Sequence, residues 1–171
     1  SMHFGNAIAW VPNVEFVKGD IRDAIALRQA LVGVTDVIHL AGIVTDELAT
    51  MNPDLARDVN INGMQTLLDL CEQAGVQRFI YASSSGVYGT QANGESAIEG
   101  TPPHPESVYM QTKLDGENLL WKSKLNCVAV RSALRAPCLC ACDHALACAP
   151  QRAAASPRCR ALLPRRPDAS A

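Results

Sequence analysis

In the stretch "ESVYMQTKLDGEN", residues 106–118, Tyr109 and Lys113 stand four positions apart. On a helix that spacing puts a phenol and an ammonium on one face, where both flank the same ligand. A free tyrosine titrates near about 10 and is a weak base at neutral pH. A fixed cation beside it favours the phenolate and readies the residue for proton transfer. A hydroxyl from another element would complete the set by holding a substrate oxygen. The three serines of "YASSSG", residues 81–86, offer candidates at the end of an apolar run. Tyr-x-x-x-Lys also arises by chance on exposed helices, so the elements around it carry the argument.

Those elements alternate between strand and helix signals from residue 14 to residue 131. "VEFVK" (14–18) reads as a short strand ending at Gly19-Asp20, and "DAIALRQALVG" (23–33) as a helix stopped by Gly33. "DVIHLAG" (36–42) and "VQRFIYAS" (76–83) are nearly continuous apolar runs, the pattern of strands buried on both faces. Between them, residues 52–75 predict one long helix, opened by Asn52-Pro53 and closed by Gly75. A polar loop covers 84 to about 106. A helix then runs from about Ser107 to Lys124, and the strand "NCVAVR" occupies 126–131.

Alternation of this kind predicts an α/β fold, a doubly wound Rossmann-type parallel sheet with right-handed crossovers. Ligands of such sheets lie beyond the carboxyl ends of the strands. The residues to inspect are therefore Gly19-Asp20, Ala41-Gly42 and Ser83-Ser84-Ser85.

Composition divides the chain in two. The net charge of −2 combines −6 up to Ser132 with +4 from Ala133 onward. The acidic body excludes a nucleic-acid surface, which is normally basic. No apolar run approaches the roughly 20 residues of a membrane span, and the start lacks a secretory pattern, so a cytoplasmic location is expected. The chain opens on Ser1, not Met, which reads as a truncation or an added remnant.

Residues 1–132 are expected to form a partial cofactor-binding domain, and 133–171 an irregular tail. That tail holds 12 Ala, 6 Arg, 5 Pro and 5 Cys among 39 residues. Little in it would build a core strand, and its prolines interrupt helices. The bias matches a GC-rich gene read out of frame, which the nucleotide sequence would settle. "CLCAC", with Cys148 and His144, lacks the ligand spacing of a zinc site, so no metal is expected. Cys71 and Cys127 read as core thiols, and His39 as a packed strand residue.

Taken in order, "VKGDIRD", "DVIHLAG", "DVNINGMQTLLDLCEQAGVQRFIYASSSGVYG" and "SVYMQTK" carry a family likeness. The chain resembles the extended short-chain dehydrogenase/reductases, the NAD-dependent epimerase/dehydratases related to UDP-galactose 4-epimerase. The resemblance spans residues 14 to about 132. It implies NAD as cofactor, with NADP left open, and hydride transfer at a sugar carbon with proton transfer through a tyrosine. It implies adenine contacts for Asp20 and Ile21, a cofactor-lining stretch at Leu40, Ala41 and Gly42, and an active-site neighbour in Asn60. It assigns the reacting oxygen to Ser84, the general acid/base to Tyr109, and ribose binding with tuning of Tyr109 to Lys113. Met110 stands where the family usually has glycine.

A nucleotide-sugar substrate follows from the resemblance, with epimerase and sugar or uronate dehydrogenase as alternatives. A dehydratase typically carries Asp-Glu after the Ser/Thr, and this chain has Ser85-Gly86. The helices over 53–74 and 107–124 resemble those that pair across the family's dimer, so a homodimer is implied for an intact parent. The family's glycine-rich turn, Gly-x-x-Gly-x-x-Gly, is not in the sequence, nor are the first two strands. The sheet is therefore expected to be incomplete, with a gap between "VEFVK" and "DVIHLAG". A catalytically inactive fragment is the third reading.

Overall fold

The computed structural model describes residues 13–91 and 96–132, and the backbone of Cys159–Leu163. The elements are β1 (Val14–Lys18), α1 (Ala24–Ala30), β2 (Asp36–His39), α2 (Asp46–Met51), α3 (Pro53–Arg57), a π-turn (Asp58–Asn62), α4 (Gly63–Ala74), β3 (Arg78–Ser84), a 3₁₀ turn (Ser85–Tyr88), α5 (Val108–Lys122), β4 (Cys127–Ser132) and β5 (Cys159–Leu163).

The helix ends follow local chemistry. Asp23 caps α1 by accepting from the Ile25 and Ala26 amides at 2.9 and 3.1 Å. Asn52 accepts from Leu55 N at 3.0 Å, with Pro53 in the first turn of α3. Gly75 ends α4 at φ 72°, a left-handed conformation that glycine adopts without strain. Helix α2 is the element that hydrophobic spacing does not announce. Thr45, followed by Asp46 and Glu47, starts it by accepting from Leu48 N at 3.2 Å.

The long helix expected over 52–75 is present as one uninterrupted helical run from Pro53 to Ala74, widened at Asp58–Asn62 by the π-turn. One extra residue in that turn rotates Asn60 into the interior, where it is 4% exposed. Such single turns are common where a side chain must be aimed.

Strands β2, β3 and β4 form a parallel sheet in that order. Both of its crossovers advance in one direction, so a right-handed connection puts their helices on one face. That face holds the core: Leu67, Leu68 and Cys71 of α4 and Leu120 of α5 pack with Phe79 and Tyr81 of β3. Helix α5 comes close because Gly116 has no side chain. A Cβ there would lie 2.5 Å from Tyr81 Oη and 3.1 Å from Met64 Sδ.

The opposite face corrects the expectation of strands buried on both sides. Ile38 (65% exposed), Ile80, Val128 and Val130 project from it into solvent. Among the described residues no crossover runs on that side, so nothing covers them.

The expected gap is present: β1 pairs with β5 and not with β2. Within the stretch from 133 onward, Cys159–Leu163 form a parallel strand against Val14–Lys18. A strand without neighbours presents a row of unpaired N–H and C=O groups, and an extended segment of the same chain satisfies them. The "CLCAC" cluster with His144 and Cys148 lies outside the described residues. Among the described residues no helix is long and apolar enough to cross a membrane.

Candidate active site

Three consecutive residues of β3 each meet a side chain from one stripe of α5. Lys113 Nζ donates to the Ala82 carbonyl at 2.9 Å. The Ser83 hydroxyl donates to the Glu117 carboxylate. The Ser84 hydroxyl hydrogen-bonds the Tyr109 phenol. Tyr109, Lys113 and Glu117 recur every four residues, so one face of α5 carries all three contacts.

Ser84 ends β3 and caps the 3₁₀ turn, accepting from Gly86 N at 3.1 Å. Ser107 caps α5, accepting from Met110 N at 3.1 Å, and its hydroxyl donates to Asp46 of α2. These two caps place the hydroxyl and the phenol side by side at the carboxyl end of the sheet. The sequence expectations for Ser84, Tyr109 and Lys113 thus converge in space.

Burial sets the electrostatics. Lys113 is 3% exposed, and desolvation pulls its ammonium down to about 8. Its Nζ lies 5.1 Å from the Tyr81 ring centre and 5.8 Å from that of Tyr109. Tyr109 itself is raised, not lowered: burial dominates, the Ser84 hydrogen bond opposes it, and the Asp46 charge adds to it. Burial therefore outweighs the depression expected from the Lys113 charge. His39 stacks on Tyr81 with ring centres 5.6 Å apart, and burial brings its imidazole down to about 4. It is neutral at physiological pH and belongs to the packing beneath the site.

Asn60 ties the site to the loop after β2. Its Oδ1 accepts from Ile43 N at 2.8 Å, while Nδ2 donates to Ile43 O at 3.0 Å and to Thr112 Oγ1 at 2.9 Å. Thr112 directly precedes Lys113. A Cβ on Gly42 would lie 2.9 Å from Asn60 Oδ1, so glycine is what lets the loop sit this close.

The remaining expected residues flank this centre. Leu40 and Ala41 are exposed beyond the end of β2. Asp20 follows β1, accepting from Arg22 N at 2.9 Å and from Arg22 Nη2 at 2.7 Å. Arg22 also donates to Asp58 at 2.8 Å, which joins this loop to the π-turn that carries Asn60. Ile21 turns its side chain into the core against Gly63, where a Cβ would fall 2.8 Å from Ile21 Cγ2.

Sequence reasoning missed Glu117 and Arg131. Glu117 is 1% exposed, and Arg131 of β4 grips it with Nη2 at 2.6 Å and Nε at 2.9 Å. The signal was the same four-residue spacing, continued one step past Lys113.

The sequence profile of the NAD dependent epimerase/dehydratase family matches residues 3–134. The chain belongs to the NAD-dependent epimerase/dehydratase family. A dTDP-glucose 4,6-dehydratase of Streptomyces griseus is 34% identical over 113 residues, which are 66% of this chain and 34% of that protein. The crystal structure of a Thermus thermophilus UDP-glucose 4-epimerase with NAD aligns at TM-score 0.68 and 30% identity. It covers 76% of this chain and 44% of that one. The DesIV double mutant, a dTDP-glucose 4,6-dehydratase from Streptomyces venezuelae with NAD bound, aligns at TM-score 0.69 and 29% identity. There the coverage is 73% of this chain and 40% of that one. This epimerase/dehydratase chain thus spans less than half the length of each of the three.

Proposed function

We propose that this chain supplies the Ser84–Tyr109–Lys113 half of an NAD-dependent site that oxidises a nucleotide sugar. The observation that carries the reading is the convergence of hydroxyl, phenol and buried ammonium at the carboxyl end of β3. Solved relatives with NAD, an epimerase and a dehydratase of nucleotide sugars, support it.

The donor set fits the nicotinamide end of the cofactor. An ammonium has three donors and the Ala82 carbonyl takes one, which leaves donors for ribose hydroxyls. Leu40 and Ala41 are exposed and Gly42 half-buried just past the carboxyl end of the neighbouring strand β2. When bound, the nicotinamide supplies the hydride acceptor. The protein's part is positioning and proton handling. Ser84 holds the substrate hydroxyl by hydrogen bonding. Tyr109 Oη receives that hydroxyl's proton as its carbon is oxidised. The Lys113 ammonium, 5.8 Å from the Tyr109 ring, favours the phenolate that must form first.

Ser85-Gly86 after the key serine favours an epimerase, with a sugar or uronate dehydrogenase as the alternative, over a dehydratase. A homodimer of the intact parent through the helices over 53–74 and 107–124, and a cytoplasmic location, belong to the same reading.

A second reading rests on the split between β1 and β2 and on a sequence without a glycine-rich turn. On that reading the chain alone does not hold the cofactor. Mixing the chain with NAD and UDP-glucose separates the two. An epimerase returns the hydride and leaves no net NADH, so the readouts are conversion of UDP-glucose to its 4-epimer and, for a dehydrogenase, absorbance growing at 340 nm. Either one, lost in Tyr109→Phe, supports the enzyme, and neither from the unaltered chain supports the second reading.

A further inference from the structure

We propose that Glu117 and Arg131 are positioning residues that hold Ser84 against Tyr109. The inference deepens the proposed function and rests on it for its catalytic meaning, though its geometry stands alone.

Glu117 lies on α5, two turns past Tyr109 on the same stripe. Its carboxylate is buried and takes three donors: Ser83 Oγ, Arg131 Nε and Arg131 Nη2. Ser83 immediately precedes Ser84 on β3. Arg131 sits on β4 in register with Ser83, so the carboxylate ties α5 to two adjacent strands at one level. The other side of the Arg131 guanidinium closes the circuit. It lies 4.6 Å from the centre of the Tyr88 ring and hydrogen-bonds the Tyr88 side chain. Tyr88 ends the 3₁₀ turn that Ser84 begins.

Ser84 is therefore bracketed. The residue before it is fastened to α5 by Glu117, and the turn after it is fastened to β4 by Arg131. Both fastenings meet in one ion pair, its carboxylate buried and its guanidinium half-buried. A planar fork fixes direction as well as distance, which a lone charge does not. A burial-driven role would need only apolar side chains here, and an apolar pair often serves stability as well or better. What the ion pair adds is register between the helix carrying Tyr109 and the strand carrying Ser84. A shift of about 1 Å between them separates hydroxyl from phenol, a displacement that matters to catalysis.

The test uses the full chain with ring-labelled tyrosine. Its three tyrosines give three ¹³Cζ resonances, assigned with Tyr109→Phe and Tyr88→Phe. Ser84→Ala sets the displacement of the Tyr109 resonance when the hydrogen bond is gone. The double variant Glu117→Met/Arg131→Met leaves no unpaired buried charge, so it keeps its fold. We expect it to move the Tyr109 resonance by at least half the Ser84→Ala displacement, in the same direction. Tyr88 moves as well, which confirms that the network is broken. Leu27→Ala, a core truncation elsewhere, lowers the thermal midpoint and leaves Tyr109 in place. Glu117→Gln is the second variant, expected to shift Tyr109 in the same sense and less far. A Tyr109 resonance unmoved in both network variants overturns the proposal. If Tyr109 responds while the unaltered chain fails to bind NADH, the positioning stands and the proposed function falls.

Discussion

Lys113 Nζ lies 2.9 Å from the Ala82 carbonyl oxygen and 5.8 Å from the centre of the Tyr109 ring. One ammonium thus anchors α5 to β3 and presents its charge to the phenol. It does both while 3% exposed, and among the described residues no carboxylate pairs with it to offset desolvation. Held this way, the lysine costs the fold stability wherever it is charged.

That cost has a pH signature. The Lys113 ammonium is lowered from its ordinary 10.5 to about 8. Between those values the unfolded chain binds the proton and the folded chain does not, so this group's penalty fades as pH rises through the window. Burial of Cys71 pushes its thiol up to about 12 and acts in the opposite direction above pH 9. Comparison with Lys113→Met cancels the thiol. Urea unfolding at several pH values should show the unaltered chain gaining on Lys113→Met from pH 8 to pH 10.5. A constant difference would contradict the buried, unpaired ammonium.

His39 predicts the acid side. Its imidazole is lowered from 6.5 to about 4 by burial, then by the Lys113 charge. Below 6.5 the unfolded chain takes up a proton that the folded chain refuses, so stability falls as pH drops. From pH 7 to pH 5 the loss is about 2 kcal/mol. His39→Phe keeps a ring against Tyr81 and should flatten this range in chemical denaturation. The depressed carboxylates Asp36, Asp58 and Glu106 act lower, below about pH 4.5, and do not mask it.

Gly116→Ala should destabilise by about 1–3 kcal/mol, the range for overpacking a close helix–strand contact. The added methyl falls 2.5 Å from Tyr81 Oη and 2.9 Å from Tyr81 Cζ. Tyr81→Phe removes the nearer atom. Thermal melts should therefore show the double variant losing less than the two single losses together. Additive losses would mean that the clash lies elsewhere.

Asn60→Asp tests the bridge between α5 and the loop after β2. The side chain keeps its shape and its acceptor for Ile43 N. It loses the donors that now reach Ile43 O and Thr112 Oγ1, and sets a charge beside both. Each buried group left without its partner costs about 1–3 kcal/mol. Amide hydrogen exchange at Ile43 and Gly42 should quicken well beyond the change seen at Leu27. Equal quickening throughout would mean a global effect.

Much of this arrangement was legible because local signals agreed. Asn52-Pro53, Gly75 and the apolar runs set the strand–helix alternation, and the resemblance picked Ser84 from three serines. Other features lay beyond local pattern. The π-turn at Asp58–Asn62 leaves hydrophobic spacing almost unchanged while re-aiming Asn60. An apolar residue such as Ile38 reads as buried on sequence, but its exposure depends on whether a crossover passes over it. Pairing of Cys159–Leu163 with β1 is a long-range satisfaction of backbone groups that composition does not encode. Glu117 was readable from its spacing, but its partner Arg131 comes from a strand that only the fold brings near.

Ser84, Tyr109 and Lys113 are proposed to form a cofactor-binding site in this chain. Titrating the purified chain with NADH and following nicotinamide fluorescence tests it most directly, with Lys113→Met beside it. Saturable enhancement is expected for the unaltered chain, with at least tenfold weaker binding for Lys113→Met. No saturable enhancement by the unaltered chain, or equal binding by both, would contradict it.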